Sequence, residues 1–421
     1  MSFQQGLSGL NASSKNLEVI GNNVANANTF GAKSSRAEFA DMYATAMSGG
    51  GSNNIGIGVN MAAVTQQFTQ GNITTTANSL DLAINGSGFF EVAASDGQTQ
   101  YSRNGQFQVN KEGFIQNNGG LKLLGYPADN QGVIQPGLAV PLQIPTAGID
   151  PNRTSEITLE MNLDSRAGAT LPAAAPLVDF SDATTYNNAT SVTVYDDIGQ
   201  DVALTYYFQK ADTNTWNVYV TANGTSVNTD AAGDPAPLTT IIFPPNGGTP
   251  QSPAGPINLD IPASVNAAGA VTLAIPGIEL DISGATQYGA SFGVTNLAQD
   301  GYAPGQLAGL SIEKTGIVMA TYSNGQSQPA GQIELATFRN VQGLKPLGGN
   351  LWARTFESGD PVVGTPGQGN LGVLQSGALE ESNVDLTAEL VNMMTAQRVY
   401  QANAQTIKTQ DQVMQTLVNL R

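Results

Sequence analysis

Few residues in this 421-residue chain can do chemistry, because it contains neither histidine nor cysteine. That removes the commonest general base and transition-metal ligand, together with disulfides and thiol nucleophiles. Carboxylates remain. Asp81 and Glu91 could supply the acid and second carboxylate of a secreted β-rich glycosidase, but nothing in the sequence pairs any two carboxylates. Asp196, Asp197 and Asp201 miss the ligand spacing of a calcium loop and read as a polar hairpin turn. Gly56-Ile-Gly58 is a fragment of a dinucleotide fingerprint, with Met61 where the third glycine belongs, and it reads as a turn. The sequons at Asn188 and Asn223 are short enough to arise by chance. The composition leans against an enzyme, and no cofactor or metal is expected.

The elements around these residues are of two kinds. Glycine occurs 48 times and only 12% of residues are charged, a profile that suits β-rich domains with many tight turns. Six Asn-Gly pairs, beginning at Asn85, Asn104, Asn118, Asn223, Asn246 and Asn324, mark hairpin turns, since both residues tolerate positive φ. The net charge of −17 would repel phosphates, so nucleic acid is not an expected partner. No apolar run approaches the ~18–20 residues that span a bilayer, so membrane insertion is not expected. Nor does the start read as a secretory signal: nothing before Lys15 is basic, and Gln4, Gln5, Gly6 and Ser8 interrupt any apolar core.

The two ends are helical in pattern. Phe3, Leu7, Leu10, Ser14, Leu17, Gly21, Val24 and Asn28 follow alternating steps of four and three, a coiled-coil-like stripe that fails by Gly31. Ser2 with Gln5 fits a capping box ahead of it. Near the other end, Ser382 with Asp385 fits a second capping box. The seam then runs Leu386, Leu390, Met393, Gln397, Tyr400, Ala404, Ile407, Asp411, Met414 and Val418. Val413, Leu417 and Leu420 add a second apolar edge, so this helix requires neighbours on more than one side. Long seams at opposite ends of one chain have few places to be buried except against each other and against further copies. The candidate self-assembly residues are therefore Phe3, Leu7, Leu10, Leu17 and Val24, with Leu386, Leu390, Met393, Tyr400, Ile407, Met414 and Leu417.

The expected fold class is α+β, mainly β, with parts nested in the chain. Residues 1–33 and 380–421 form a helical inner domain, and 34–71 a linker containing the run Ser48-Gly49-Gly50-Gly51-Ser52. Residues 72–145 and 300–379 form a middle β domain, with strands such as Phe89–Val92, Thr99–Arg103, Leu121–Tyr126 and Gly316–Tyr322. Residues 146–299 form an outer β domain, with strands at Val192–Asp196, Val202–Gln209 and Trp216–Thr221. Its fifteen acidic and three basic residues hold −12 of the net −17, an excess that suits a well-solvated domain.

Several stretches together resemble the flagellar rod and hook protein family. They are Gly6-Leu-Ser-Gly-Leu-Asn-Ala followed by Asn16-Leu-Glu-Val-Ile-Gly-Asn-Asn-Val-Ala-Asn-Ala-Asn-Thr29, and the run from Ser382 to Tyr400. The continuation Gln401-Ala-Asn-Ala-Gln-Thr-Ile-Lys-Thr-Gln-Asp411 is closer to hook than to rod members. Phe68-Thr-Gln-Gly71, Tyr101-Ser-Arg-Asn-Gly-Gln-Phe107 and Gly301-Tyr-Ala-Pro-Gly305 follow the family in order, while 146–299 matches weakly. One place departs: the family's aromatic follows the glycine near Thr29, whereas here Phe30 precedes Gly31. The resemblance implies a hollow helical homopolymer, with terminal helices lining the channel and β domains facing outward. This tube supercoils while transmitting torque. It also implies extracellular assembly after export by the flagellar type III apparatus without a cleaved signal. The implied partners are the distal rod, hook cap, hook-length control and hook–filament junction proteins. A distal rod subunit shares both terminal signatures but would lack the 146–299 insertion.

Overall fold

The computed structural model describes residues 2–43, 56–94, 96–129, 132–145, 148–172, 175 and 177–419. The glycine run at 48–52, Leu420 and Arg421 lie outside the described residues, as does the side chain of Leu417. The fold is mainly β, with one long helix towards each end. The chain forms two compact units: Met1–Thr146 with Gly309–Thr321 and Ser327–Arg421, and Ala147–Ala308 with Tyr322–Gln326.

Helix α1 spans Ser2–Ala25 and carries Gly6, Gly9 and Gly21, each costing about 1 kcal/mol relative to alanine. Its stability must therefore come from packing. Of the expected capping box, the Gln5 side chain donates instead to the Gly56 carbonyl (2.6 Å), and the Ser2 side chain lies outside the described residues. Strand β1 (Ser35–Tyr43) pairs antiparallel with β2 (Gly56–Gln66), from Ser35 opposite Gln66. A lone hairpin is marginal in water, and this one is held against α1. Gly58 has φ +138°, and a Cβ there would stand 2.0 Å from the Ser8 hydroxyl oxygen. Helix α2 spans Leu386–Asn419. Its cap is Asp385, whose Oδ1 accepts from the Thr387 and Ala388 amides (2.9 and 3.1 Å); Ser382 instead accepts from Val384, three residues too early to cap.

In the first unit, segments from both halves of the sequence share one sheet. Phe89–Ala93 pairs with Thr99–Ser102 and with Lys122–Pro127, while Leu335–Thr337 joins Phe89–Ala93 and Leu351–Ala353 joins Thr99–Ser102. Aromatic rings meet edge to face over it, with Tyr101 and Phe338 centroids 4.7 Å apart and Phe89 and Trp352 5.7 Å apart. Phe68, leaving β2, closes onto Phe89 and Trp352 and ties the hairpin to this core.

A charged cluster joins this core to both helices. Lys33 Nζ donates to Glu380 Oε1 (2.5 Å) and to the Thr69 carbonyl (2.8 Å), and the Gly71 amide donates to the same Oε1 (3.0 Å). Arg103 lies 3.4 Å from Glu380 Oε2, and its guanidinium also donates to the Gly86 carbonyl (2.7 Å). The Lys33 and Glu380 side chains are fully buried, and Arg103 is nearly so. Burial pulls the Lys33 and Arg103 pKa values below their usual ranges, while the Glu380 charge opposes the shift. The departure at Phe30 is settled beside it: Gly31 is left-handed (φ +71°), donates to the Glu380 carbonyl (2.8 Å), and would place a Cβ 2.5 Å from the Asn104 amide nitrogen. Glu380→Ala leaves two buried cations without a counter-charge, and should lower the unfolding free energy of the first unit by about 3–5 kcal/mol in urea titrations.

A second buried group is acidic. Burial, and then the charge of Glu334, raises Glu91 from 4.5 to about 7. Glu334 is itself raised by burial, although it accepts a hydrogen bond from the Tyr126 hydroxyl (2.8 Å). A carboxyl raised in the folded state binds its proton more tightly there than in the unfolded chain. Its stabilising contribution is present below pH 4.5 and is lost as pH rises through about 7. Glu91→Gln should remove this slope, leaving the variant more stable than the parent at pH 8 by about 2–3 kcal/mol in unfolding measured across pH.

The second unit stacks its core between two five-stranded sheets. Glu156–Asp164 pairs parallel with Ile275–Asp281 and Thr286–Tyr288 and antiparallel with Gly293–Gln299. Asn188–Tyr195, Asp201–Asp212, Thr215–Ala222 and Thr239–Ile242 build the other sheet. Alternate residues (Leu159, Met161, Tyr206, Phe208, Trp216, Ile278) fill the space between them.

Candidate self-assembly surface

The two terminal helices pack side by side and antiparallel. Asn23 Nδ2 donates to Glu389 Oε1 (3.1 Å) near one end, and Asn403 Nδ2 donates to Ser13 Oγ (3.4 Å) further along. Beyond these, a Cβ on Gly9 would stand 2.9 Å from the Asn403 amide nitrogen, and one on Gly6 would stand 3.1 Å from Ile407 Cγ1. The face that α1 turns to α2 is thus Gly6, Gly9, Ser13, Ile20 and Asn23. The facing residues of α2 are Glu389, Ala396, Asn403 and Ile407. Glycine and serine let the backbones come close, and amides supply the specific bonds.

The stripes expected from the apolar pattern lie mostly elsewhere. Phe3 and Leu7 are exposed (49% and 45%), while Leu10, Leu17 and Val24 are half-buried. On α2, Leu386, Leu390, Tyr400 and Met414 are exposed, and Met393 and Ile407 are half-buried. Of the predicted residues, the structure places Ile407 directly against the partner helix, opposite Gly6. Val391, Met394, Val399, Val413 and Val418 add to the exposed apolar surface of α2. Pattern reading missed Gly6, Gly9, Ser13, Asn23 and Asn403. A signal existed: small or amide residues recur at 6, 9, 13, 16 and 23 with helical spacing. An apolar search passes over them.

The residues first weighed for chemistry have local roles. Asp196 accepts from the Ile198 and Gln200 amides through Oδ1 and from Leu273 through Oδ2, closing a hairpin. Asp201 accepts from Asn266, and Asp197 faces Arg153 at 3.8 Å. Asp81 accepts from Thr76 and Asn78, whereas Glu91 lies buried under the sheet with Glu334. Among the described residues, no cluster of three carboxylates could hold a metal, and no helix is long and apolar enough to cross a membrane.

A mainly β fold with an antiparallel pair of terminal helices, which leave Phe3 and Leu7 on α1 and Leu386, Leu390 and Met414 on α2 at the surface, defines the class of protein. Comparison with known proteins gives the class its family. Four family descriptions match in chain order: Flagella basal body rod protein over 3–33, Flagellar hook protein FlgE/F/G D1 domain over 83–197, Flagellar basal body protein FlaE D2 domain over 162–302, and Flagellar basal body rod FlgEFG protein C-terminal over 375–420. The chain is 42% identical to the flagellar hook protein FlgE of Salmonella typhimurium over 429 residues, with both chains covered completely. It is 32% identical to the FlgE of Treponema pallidum over 467 residues, covering 100% of this chain and 99% of that one. A crystal structure of the Helicobacter pylori flagellar hook protein FlgE2 shares the fold, with TM-score 0.53 and 15% identity over 73% of this chain and all of the other. The chain belongs to the flagellar hook protein FlgE family, a structural family of the bacterial flagellum.

The close approach at Gly9 gives a direct test of the helix pair. Gly9→Leu, which improves intrinsic helix propensity, should nevertheless push α1 off α2, and hydrogen exchange should quicken in both helices while the sheet amides of Thr99–Ser102 keep their protection. Unchanged exchange in α2 would show that the pairing does not depend on this contact.

Proposed function

We propose that the chain is the repeating subunit of the curved, tubular flagellar hook, a joint that passes motor torque from rod to filament. One observation carries this reading: both terminal helices leave large apolar side chains exposed, Phe3 and Leu7 on α1 and Leu386, Leu390, Tyr400 and Met414 on α2, while pairing with each other mainly through small and polar residues. A buried large apolar side chain is worth about 1.5–3 kcal/mol relative to an exposed one, so two such residues on α1 and several on α2 give a strong drive for copies to cover them. The contact is heterologous, because the stripes of α1 and α2 differ, and heterologous contacts that do not close generate a filament.

In this reading residues 1–33 and 380–421 form the inner tube, 34–71 fills the space between copies, 72–145 with 300–379 forms the middle domain, and 146–299 faces outward. Its acidic excess keeps neighbouring outer domains from adhering, so that they can slide as the tube bends. The subunit turns over no substrate, needs no cofactor, and leaves the cell by the flagellar export route without a cleaved signal. It meets the distal rod and hook–filament junction proteins at the two ends of the tube, the hook cap during growth, and the length-control protein. Leu390→Asp in full-length chain should leave the monomer's circular dichroism unchanged yet abolish tubes in electron micrographs, since burying an unpaired carboxylate between copies costs several kcal/mol. Normal tubes from this variant would sink the proposal that the α2 stripe is the assembly surface.

A further inference from the structure

Six Asn-Gly pairs share the same local chemistry, but the fold treats them differently. At Asn104 the side chain accepts from the Gln106 amide (3.1 Å) and donates to the Gln106 side chain (3.3 Å). Asn223 accepts from Ala203 and donates to Ser264, and Asn324 accepts from Gln326 and donates to Ala303. Asn85 lies in a ladder opposite Val373, and the amide of Gly86 is held by Gln70 (3.1 Å). The Asn246 side chain is exposed, yet Gly247 is fixed by a bond to the Pro244 carbonyl (3.0 Å) and pressed against Gln287 and Tyr288.

Asn118 differs from all of these. It sits at the exposed tip of the turn between Ile115–Asn117 and Lys122–Pro127, and its side chain has no partner among the described residues. The following Gly119 meets only the adjoining Asn117 side chain, at 3.3 Å from an ideal Cβ, and nothing crowds Gly120. One restraint acts on the nucleophile: the Gly119 amide donates to Asn117 Oδ1 (3.0 Å), a bond exposed to solvent and confined to the turn itself. Exposed local bonds of this kind open far more readily than core ladders.

We propose that Asn118 is a site of spontaneous deamidation in the folded subunit, the one Asn-Gly pair that the fold leaves free to react. The Gly119 backbone nitrogen, giving its proton to solvent base, attacks Cγ of Asn118. The N–Cγ bond forms, the Cγ–Nδ2 bond breaks, and the amide nitrogen leaves as ammonia with a proton returned from solvent. Water then opens the five-membered imide at either carbonyl, giving aspartate or isoaspartate, with no change of oxidation state. Both products add a negative charge. Isoaspartate also lengthens the backbone by one methylene, which breaks the pair of bonds that Asn117 Oδ1 accepts from Gly119 and Leu121.

The test is to incubate the full-length chain at mildly alkaline pH, folded and in urea, and to map isoaspartate by methyltransferase labelling of proteolytic peptides. The folded chain should label the peptide containing residue 118 several-fold faster than any other Asn-Gly peptide, and urea should bring the six close to one rate. Asn118→Gln should remove the early label without altering the circular dichroism. Labelling at any of the other five Asn-Gly pairs that keeps pace with Asn118 in the folded chain would overturn the proposal, as would a label that survives Asn118→Gln. Tube formation plays no part in this readout, so its outcome is independent of the assembly proposal.

Discussion

Lys33 and Arg103 both reach Glu380 in a place closed to water, and the Lys33–Glu380 contact spans 347 positions of sequence. Lys33 lies on the exit from α1, Arg103 at the end of a sheet strand, and Glu380 just ahead of α2. Apolar contacts are non-directional and can slide, but a buried ion pair with further bonds to backbone groups has one geometry, and opening it strands a charge in a low-dielectric interior. The surrounding bonds extend the same restraint. Asn383 holds the Ser34 amide (2.7 Å) and the Gln67 carbonyl (2.7 Å), and Asn350 holds the Phe30 carbonyl (2.8 Å). The C-terminal end of α1 and the N-terminal end of α2 are therefore both held by the sheet core.

That anchoring explains how the helices can pair through so little apolar surface. An isolated helix pair joined at Gly6, Gly9, Ser13 and Asn403 would have a weak drive to associate, since glycine contributes no side-chain burial and amide bonds exchange evenly with water. Tethered at the same cluster, the two helices meet at high effective concentration. The strong apolar residues are then released from intramolecular duty. Leu386, Leu390 and Met394 on one helix, and Phe3 and Leu7 on the other, remain at the surface, where contact with copies can bury them. Specificity within the chain thus comes from shape and polar bonds, and the helix pairing leaves these apolar side chains unused.

Much of the fold was legible because its signals are local. Asn324-Gly325 closes the hairpin between Ile317–Tyr322 and Ser327–Ile333 as read, and the strand read at Thr99–Arg103 stands at Thr99–Ser102, but Asn104-Gly105 closes no hairpin, because Phe107–Val109 pairs with Ile115–Asn117 and not with Thr99–Ser102. Helix α2 was located by its uninterrupted pattern, although Asp385, not Ser382, caps it. Capping geometry depends on where the backbone first turns helical, and two nearby polar residues offer nearly equal candidates. Glu91 could not be read as a buried acid, since it sits between apolar neighbours in a sequence that alternates poorly, and its environment is completed by Glu334 and Tyr126 from far along the chain.

By itself the sequence determined the class of the elements, the lack of thiol and imidazole chemistry, the acidic excess of 146–299, and the family signatures at both ends. Each of these is a property of residue type or of short-range spacing. Only the tertiary structure decided which face of each terminal helix is used within the chain. Helical periodicity reports that an apolar stripe exists, but the stripe and the Gly6–Gly9–Ser13 face are both helically spaced, and nothing local chooses between them. The choice is made by the Lys33–Glu380–Arg103 cluster, which joins residues up to 347 positions apart, and by the hairpin packed on α1, whose Gly56 bonds Gln5 across 51 positions.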